Sequence, residues 1–441
     1  MIRTFQEAVK FLERYIPPAD KKHPGVLGLE RMRELTGRLG NPQLKYRTIH
    51  VGGTSGKGST ATMIASILGT KYKTGLYTSP HLVRINERFT VIEPLNSVQR
   101  EISDGVFTRL INKIKPHVEA MGETDLGSPS YFEIVSALAF LHFYKEKAEA
   151  AVIEVGLGGL YDASNVVQPE IAVITNVGLD HTEILGETLE EIAADKAGII
   201  KKGMKVISGT DISSVKAIFK NKSDQNNVPL FLAGLNFRTD IKRVSISGSR
   251  FDFHNFQYYR NLHLGMLGRH QVANAALAVK ACEEFGGIGV KEIKSGLKTV
   301  KFAGRLEIIR KKPLIVLDGA HNPDKIKALV DAVREIWPGK KATTVLAIKK
   351  DKNAAGMIRL LSLITEKFIL TNYRVIMDQG EISSYDPAEL ARFMQKHVSF
   401  EVNHNAFSAL ESAHKSAGNS DLILVTGSLY LVGIIRKKFI S

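Results

Sequence analysis

A glycine-rich turn between a short apolar strand and a helix limits what this chain can fold into more than any other feature. Thr48-Ile49-His50-Val51 reads as a buried strand. Gly52-Gly53-Thr54-Ser55-Gly56-Lys57-Gly58-Ser59-Thr60 follows, then an apolar helix to Leu68, and a second strand, Gly75–Thr78, begins a few residues later. A strand, a crossover helix and another strand imply a parallel sheet. The glycines let successive backbone N–H groups turn toward one anion, and the helix N-terminus adds partial positive charge. Lys57 is placed to reach the β- and γ-phosphates of a nucleotide, and Ser59 or Thr60 to reach a magnesium ion. The common spacing of such loops puts a glycine where Val51 stands, so this one is a variant, with Thr54, Ser55, Gly56, Lys57, Gly58, Ser59 and Thr60 as the expected binding residues.

The alternation continues beyond the loop. Phe132–Tyr144 has apolar residues at helical spacing, Ala150–Ile153, Ile171–Thr175 and Lys205–Ser208 read as strands, and Leu189–Ile200 reads as a helix. This pattern predicts an α/β domain with helices on both faces. Between Phe237 and Met266, short alternating segments read as hairpin strands at an edge. Helices return at Asn274–Phe285 and Val290–Leu297. A second α/β series has strands at Leu306–Ile309, Leu314–Leu317, Thr343–Ala347, Phe368–Thr371 and Leu422–Val425. A boundary near Thr299–Gly304 divides the chain into residues 1–299 and a smaller Rossmann-like domain, 300–441. Two or three domains are what 441 residues lead one to expect.

Several function classes are disfavoured. The one cysteine, Cys282, cannot form an intrachain disulfide and sits in a helical run, which suits a buried structural thiol. The N-terminus lacks the apolar core of a signal peptide, and no uncharged apolar run is long enough to span a membrane. A soluble, cytoplasmic monomer is expected. The net charge of +15 favours anionic partners, but the basic residues are spread rather than blocked and carry no interleaved aromatic motif. That argues against nucleic acid and for small, highly charged substrates such as a nucleoside triphosphate and a poly-acid.

What the loop serves is indicated by segments that follow it in order. They are Tyr77-Thr78-Ser79-Pro80-His81-Leu82, Glu154-Val155-Gly156-Leu157-Gly158-Gly159, Leu179-Asp180-His181 and Asp195-Lys196-Ala197-Gly198-Ile199, then His270-Gln271-Val272-Ala273-Asn274, Gly304-Arg305-Leu306-Glu307 and Asp318-Gly319-Ala320-His321-Asn322-Pro323. Together they resemble the folylpolyglutamate/dihydrofolate synthase branch of the Mur ligase superfamily, from Gly28-Leu29-Glu30-Arg31 to Val425-Thr426-Gly427-Ser428-Leu429. The residues themselves agree: Glu154 ends a buried strand, where a carboxylate needs a partner or a metal and where α/β sheets place ligands.

The resemblance implies a Mur-ligase-like central domain followed by the Rossmann-like one. It implies ATP-driven addition of L-glutamate to a folate, with dihydropteroate as a further candidate substrate, through an acyl phosphate. Ser79 and Glu154, with Ser59, would hold one Mg²⁺; His181 and Lys196, the latter carbamylated, would serve a second. Asn274, Arg305 and Asp318 would contact ATP, and His321 would assist phosphate or glutamate. Ser130, Tyr131, Phe132 and Glu133, with Tyr161, Asp162 and Ala163, would receive the pterin, for which aromatic faces are suited. Two departures stand out: Ser55 replaces the usual asparagine of the loop, and Leu160 replaces a basic residue, which bears on substrate preference. The rivals are a Mur-type amino-acid ligase acting on a cell-wall precursor and a nucleic-acid-stimulated P-loop NTPase. Because Asn274 precedes the boundary while Arg305 and Asp318 follow it, the nucleotide is expected to be clamped between domains. Residues 1–299 alone should fold, bind ATP poorly and ligate nothing; a fully active fragment would refute the clamp.

Overall fold

The computed structural model describes residues 1–18, 25–94, 98–378, 380–396 and 398–440. The first sheet contains β1 (Arg47–Gly52), β2 (Thr74–Tyr77), β3 (Phe89–Glu93), β4 (Val98–Glu101), β5 (Ala150–Glu154), β6 (Ile171–Ile174), β7 (Lys205–Ser208) and β8 (Leu230–Leu232). Their order is β4-β3-β2-β5-β1-β6-β7-β8. Six of these strands run parallel, and β3 and β4 extend one side in antiparallel fashion. The mainly parallel sheet expected from the sequence is therefore present, with the glycine-loop strand near its middle.

Side-chain alternation decides which helices each face receives. Ala150 and Val152 of β5 join Ile49 and Val51 in a core with Ile64 and Ile67 of helix Lys57–Leu68 and Leu277 of helix Arg269–Phe285. Ala151 and Ile153 turn the other way, toward Phe140 and Phe143 of helix Tyr131–Lys145 and Ile111 of helix Asp104–Gly122. Further along that second face, Ala172, Ile174 and Val206 meet Ile192 and Phe219 from helices Leu189–Lys196 and Ser213–Asn226. Coverage of both faces explains why these strands read as unbroken apolar runs. Cys282 is buried in the first core, and burial pushes its thiol up, which keeps it inert.

The alternating segments between 237 and 266 do not lie at an edge of this sheet. They form a separate antiparallel sheet, β9 (Arg238–Ser245), β10 (Gly248–His254) and β11 (Tyr258–Leu264), in the order β11-β10-β9. Phe251, Phe253, Leu262 and Leu264 share a core with helices Arg269–Phe285 and Val290–Thr299. Alternation revealed one covered face but not what covers it.

The second α/β part contains β12 (Glu307–Lys311), β13 (Leu314–Leu317), β14 (Ala342–Leu346), β15 (Thr365–Leu370), a hairpin of β16 (Arg374–Met377) and β17 (Gly380–Ser383), then β18 (Ser399–Val402) and β19 (Leu422–Thr426). Its main sheet runs β12-β13-β19-β14-β15-β18, parallel except for β12. This matches the smaller α/β domain expected. Close packing sets limits on the larger sheet: a Cβ on Gly75 of β2 would lie 2.6 Å from the Phe143 ring. Phe143→Ala should therefore leave a cavity beside β2 and lower stability by about 3–5 kcal/mol, seen as a lower urea midpoint in circular dichroism.

Candidate active site

The carboxyl ends of β1, β2, β5 and β6 converge, as expected for ligand sites in such sheets. After β1, the loop enters helix Lys57–Leu68 through Gly56, whose φ of 81° is costly for a residue with a side chain. A Cβ there would also lie 2.5 Å from Asn274 Oδ1, so Asn274 stands against the loop. A Cβ on Gly58 would come within 2.8 Å of Phe302, which brings the start of the second α/β part down on the same helix. The loop is held from β6. Asn176 Oδ1 accepts from the Ser55 N–H at 2.8 Å, its carbonyl accepts from the Thr54 N–H at 3.0 Å, and the Thr175 hydroxyl donates to the Ser55 carbonyl at 2.7 Å.

Glu154 closes β5 and is 4% exposed. Its Oε2 accepts from the Ser79 N–H at 2.9 Å, so the ends of β2 and β5 are tied together. Burial pushes its pKa up, while the nearby Lys57 works in the opposite direction. Among the described residues, no cation comes within ion-pair distance of Glu154, the Lys57 ammonium has no hydrogen-bond or ion-pair partner, and the buried Thr60 hydroxyl is unpartnered. Buried polar groups are ordinarily satisfied. The buried, unpartnered Thr60 hydroxyl, beside a Glu154 held by one backbone donor and a half-buried Lys57, fits a ligand site, and carboxylate and hydroxyl oxygens are the donor types Mg²⁺ takes.

Lys196 is 3% exposed, and its Nζ donates to the Gly53 carbonyl at 3.3 Å. Burial, reinforced by Lys57, lowers its pKa to about 7. His181 adopts a left-handed backbone conformation, φ 53°, at the start of a short helix. Burial first, and Lys352 among its neighbours, lowers its pKa, against the pull of Asp180. Among the described residues, no group of three or more His, Cys, Asp or Glu side chains forms a metal cage. The candidate set, Ser59, Ser79, Glu154, His181 and Lys196, has only two residues of those types.

The second α/β part supplies the opposite wall. Asp318 directly follows β13 and accepts from the Leu306 and Ala320 N–H groups, each at 2.9 Å. It thereby fixes the Arg305 loop, in which Leu306 is left-handed at φ 47°. Such strain in a non-glycine residue gathers at functional sites. His321 donates from Nδ1 to the Gly319 carbonyl and accepts at Nε2 from Lys325 Nζ, at 2.8 and 2.9 Å. Burial and Lys325 hold it neutral. Asp180, beside His181, meets Lys352 at 3.4 Å, Lys325 at 3.7 Å and the Asn322 amide at 3.5 Å, which joins the two parts across the site.

The residues expected to receive a pterin are divided by the structure. Phe132 lies directly over Gly156, where a Cβ would strike its ring, so it lines the mouth of β5. Tyr131 is buried, and Ser130 caps its helix. Glu133 is committed to the scaffold: Arg31 donates to both of its oxygens at 2.9 Å, and the Ser130 N–H adds a third bond. Asp162 accepts from the Leu157 and Ser164 N–H groups and from the Ser164 hydroxyl, which in turn pairs with His50 at 2.8 Å. Ala163 is buried and Tyr161 half-buried. Leu160 packs on Gly198, two residues from Lys196.

Sequence reasoning missed Asn176, Lys325 and Lys352. Asn176 follows directly on a strand whose end faces the loop, the one signal that pointed to it. Asn176→Ala removes a single hydrogen bond to the loop from an exposed side chain. ADP should then bind about tenfold more weakly, from the ~1–1.5 kcal/mol of such a bond, with thermal stability little changed; calorimetric titration reads both affinities.

Comparisons agree with this geometry. The family Mur ligase middle domain matches residues 51–282, and the family Dihydrofolate synthetase, C-terminal domain, matches 302–437. The dihydrofolate synthase/folylpolyglutamate synthase of Bacillus subtilis is 34% identical, covering 93% of this chain and 94% of its own. The crystal structure of folylpolyglutamate synthase from Thermotoga maritima aligns with a TM-score of 0.85 and 33% identity, over 99% of this chain and 96% of that one. The Mycobacterium tuberculosis folylpolyglutamate synthase complexed with ADP aligns with a TM-score of 0.87 and 26% identity, over 99% and 98%. No helix among the described residues is long and apolar enough to cross a membrane. A buried carboxylate facing a glycine loop, under a wall of cations from a second α/β part, together with these matches over nearly the whole chain, places this protein in the folylpolyglutamate/dihydrofolate synthase family of the Mur ligases.

Proposed function

We propose that this chain uses ATP to join L-glutamate to a folate, with dihydropteroate as a further substrate, and acts as a cytoplasmic monomer. Residues 1–299 and 300–441 are its two domains in this reading. The observation that carries it is the buried Glu154 carboxylate, which among the described residues has no cation at ion-pair distance, opposite a Lys57 that has no partner among them.

Ser59, Ser79 and Glu154 would hold one Mg²⁺, and His181 with Lys196 as a carbamate would serve a second; Glu154 and the unpartnered Thr60 hydroxyl support that fit. When bound, the metals neutralise charge on the transferring phosphoryl group. The backbone N–H groups of Gly56 to Ser59 orient the phosphates, Lys57 stabilises charge at the γ-phosphate, and Asn274, Arg305 and Asp318 place the nucleotide. The folate carboxylate attacks the γ-phosphorus, ADP leaves, and the glutamate amine then displaces phosphate to form the amide. Phe132 and Tyr161 would flank the pterin, with Ser130, Tyr131, Glu133, Asp162 and Ala163 building the walls behind it. Neutral His321, beside Lys325, would face glutamate. Burial next to Lys57 favours the neutral amine of Lys196, the form that adds carbon dioxide and releases a proton to become a carbamate.

ADP release should require Mg²⁺ and rise sharply only when a folate and L-glutamate are both supplied; hydrolysis indifferent to both would refute the ligase reading. Lys196→Ala should keep the fold and lose about a hundredfold or more in kcat, the ~3 kcal/mol expected from one lost charge interaction. Acetate should restore part of that rate. A map with nucleotide, Mg²⁺ and bicarbonate that shows a bare Lys196 ammonium turned away from the nucleotide would refute the carbamate.

A further inference from the structure

Arg88 is fully buried, yet it carries a charge and has no role in the chemistry above. It ends the short 3₁₀ turn Ile85–Arg88, at the entry to β3. Its Nε donates to His81 Nδ1 at 3.0 Å, and both terminal nitrogens donate to Asp378 Oδ2 at 3.2 Å. Asp378 follows β16, so a guanidinium enclosed in the first part is paired by a carboxylate of the second. Among the described residues this is its one ion pair. Removing one member of a buried pair is far more damaging than replacing both with apolar groups of similar size.

The segment Arg88 holds is the loop from Ser79 to Arg84. At one end, the Ser79 N–H donates to Glu154. At the other, the N–H groups of Leu82, Val83 and Arg84 all donate to Glu87, at 2.7, 2.9 and 3.0 Å, which ties that end of the loop to the turn carrying Arg88. Gly433, on the last helix of the second part, backs onto the Leu82 carbonyl with no room for a Cβ. A Cβ on Gly304 would touch the Leu82 side chain at 3.1 Å. The second part therefore grips this loop at Asp378 and Gly433, while the loop in turn grips Glu154.

We propose that Arg88 and Asp378 are positioning residues that make the setting of Glu154 depend on the seating of the C-terminal part. With the parts together, Asp378 holds Arg88, Arg88 holds His81, and the Ser79 N–H keeps Glu154 aimed at the phosphate loop. With the parts separated, the loop loses its anchor and Glu154 loses its donor, so a bound nucleotide meets an assembled site only after closure. The functional half of this inference rests on the ligase reading, because it assigns Glu154 to the reacting phosphates.

The test uses the full chain in three forms: Asp378→Asn, the apolar pair Arg88→Met with Asp378→Leu, and Arg374→Ala, which breaks an exposed ion pair on the same hairpin. Amide hydrogen exchange over residues 79–84 and steady-state kinetics are both read. The apolar pair should melt close to the unmodified chain, while its 79–84 amides exchange at least about tenfold faster and kcat falls by a similar factor. Its KM for glutamate should hardly move. Arg374→Ala should change neither readout. Should the apolar pair fail to fold, Asp378→Asn, which keeps shape and an acceptor oxygen, is judged by the same two readouts. Unchanged exchange, or faster exchange with an unchanged kcat, overturns the coupling. Should the unmodified chain show no glutamate-dependent ADP release, the ligase reading fails, and the exchange data alone then decide whether Asp378 anchors the loop.

Discussion

A carboxylate taken out of water, with no cation at ion-pair distance among the described residues, is the constraint around which this molecule is arranged. Glu154 sits at the end of a strand whose preceding residues are wholly buried, so water cannot reach it freely. Desolvation of an ionised carboxylate costs several kcal/mol even after relaxation. One backbone N–H from Ser79 offsets only part of that. The remainder falls to longer-range cations, Lys57 first and Arg305 and Arg88 after it, and to whatever ligand enters. Stability is thus held back at the place where binding can recover it.

The same logic accounts for part of the surplus positive charge. Lys57, Lys196, Lys325 and Lys352 approach one small volume, and Asp180 is the carboxylate set among them. Although burial opposes it, Lys325, His181 and Lys352 hold Asp180 well below the usual carboxylate range. Lys325, with burial working against its charge, is lowered to about 8. Like charges gathered this closely repel one another until an anion arrives. A nucleoside triphosphate and a di-acid are ligands of the right sign, a more local explanation for +15 than nucleic acid.

Some polar residues near the site are spent on building it. Glu133 is closed on Arg31, and Asp162 is folded into a buried chain with Ser164 and His50. His50 and Ser164 are fully buried and the Ser164 hydroxyl donates to Asp162, so this serine, histidine and aspartate grouping is an internal brace. Arg31 brings the helix that carries it, Val26–Arg38, against the start of helix Tyr131–Lys145, which fixes where Phe132 can lie. A charged residue in a family motif can act by holding its neighbours rather than by touching the substrate.

The amino-acid sequence by itself determined the features that depend on near neighbours. A glycine turn between strand and helix, apolar runs long enough for two-sided burial, and an acid at a strand end all lie within a few residues of each other, and their physics is local. The parallel α/β character and the glycine turn between strand and helix were legible for that reason. Tertiary structure decided what is joined over distance: Ser55 to Asn176 across 121 positions, Arg88 to Asp378 across 290, Asp180 to Lys352 across 172. It also decided that the alternating strands from 238 to 264 form a sheet of their own over two helices. Periodicity reports that a face is buried but carries no record of its partner. A charge pair depends on a separation of a few ångströms, which the order of residues along the chain does not encode until the two sheets have packed.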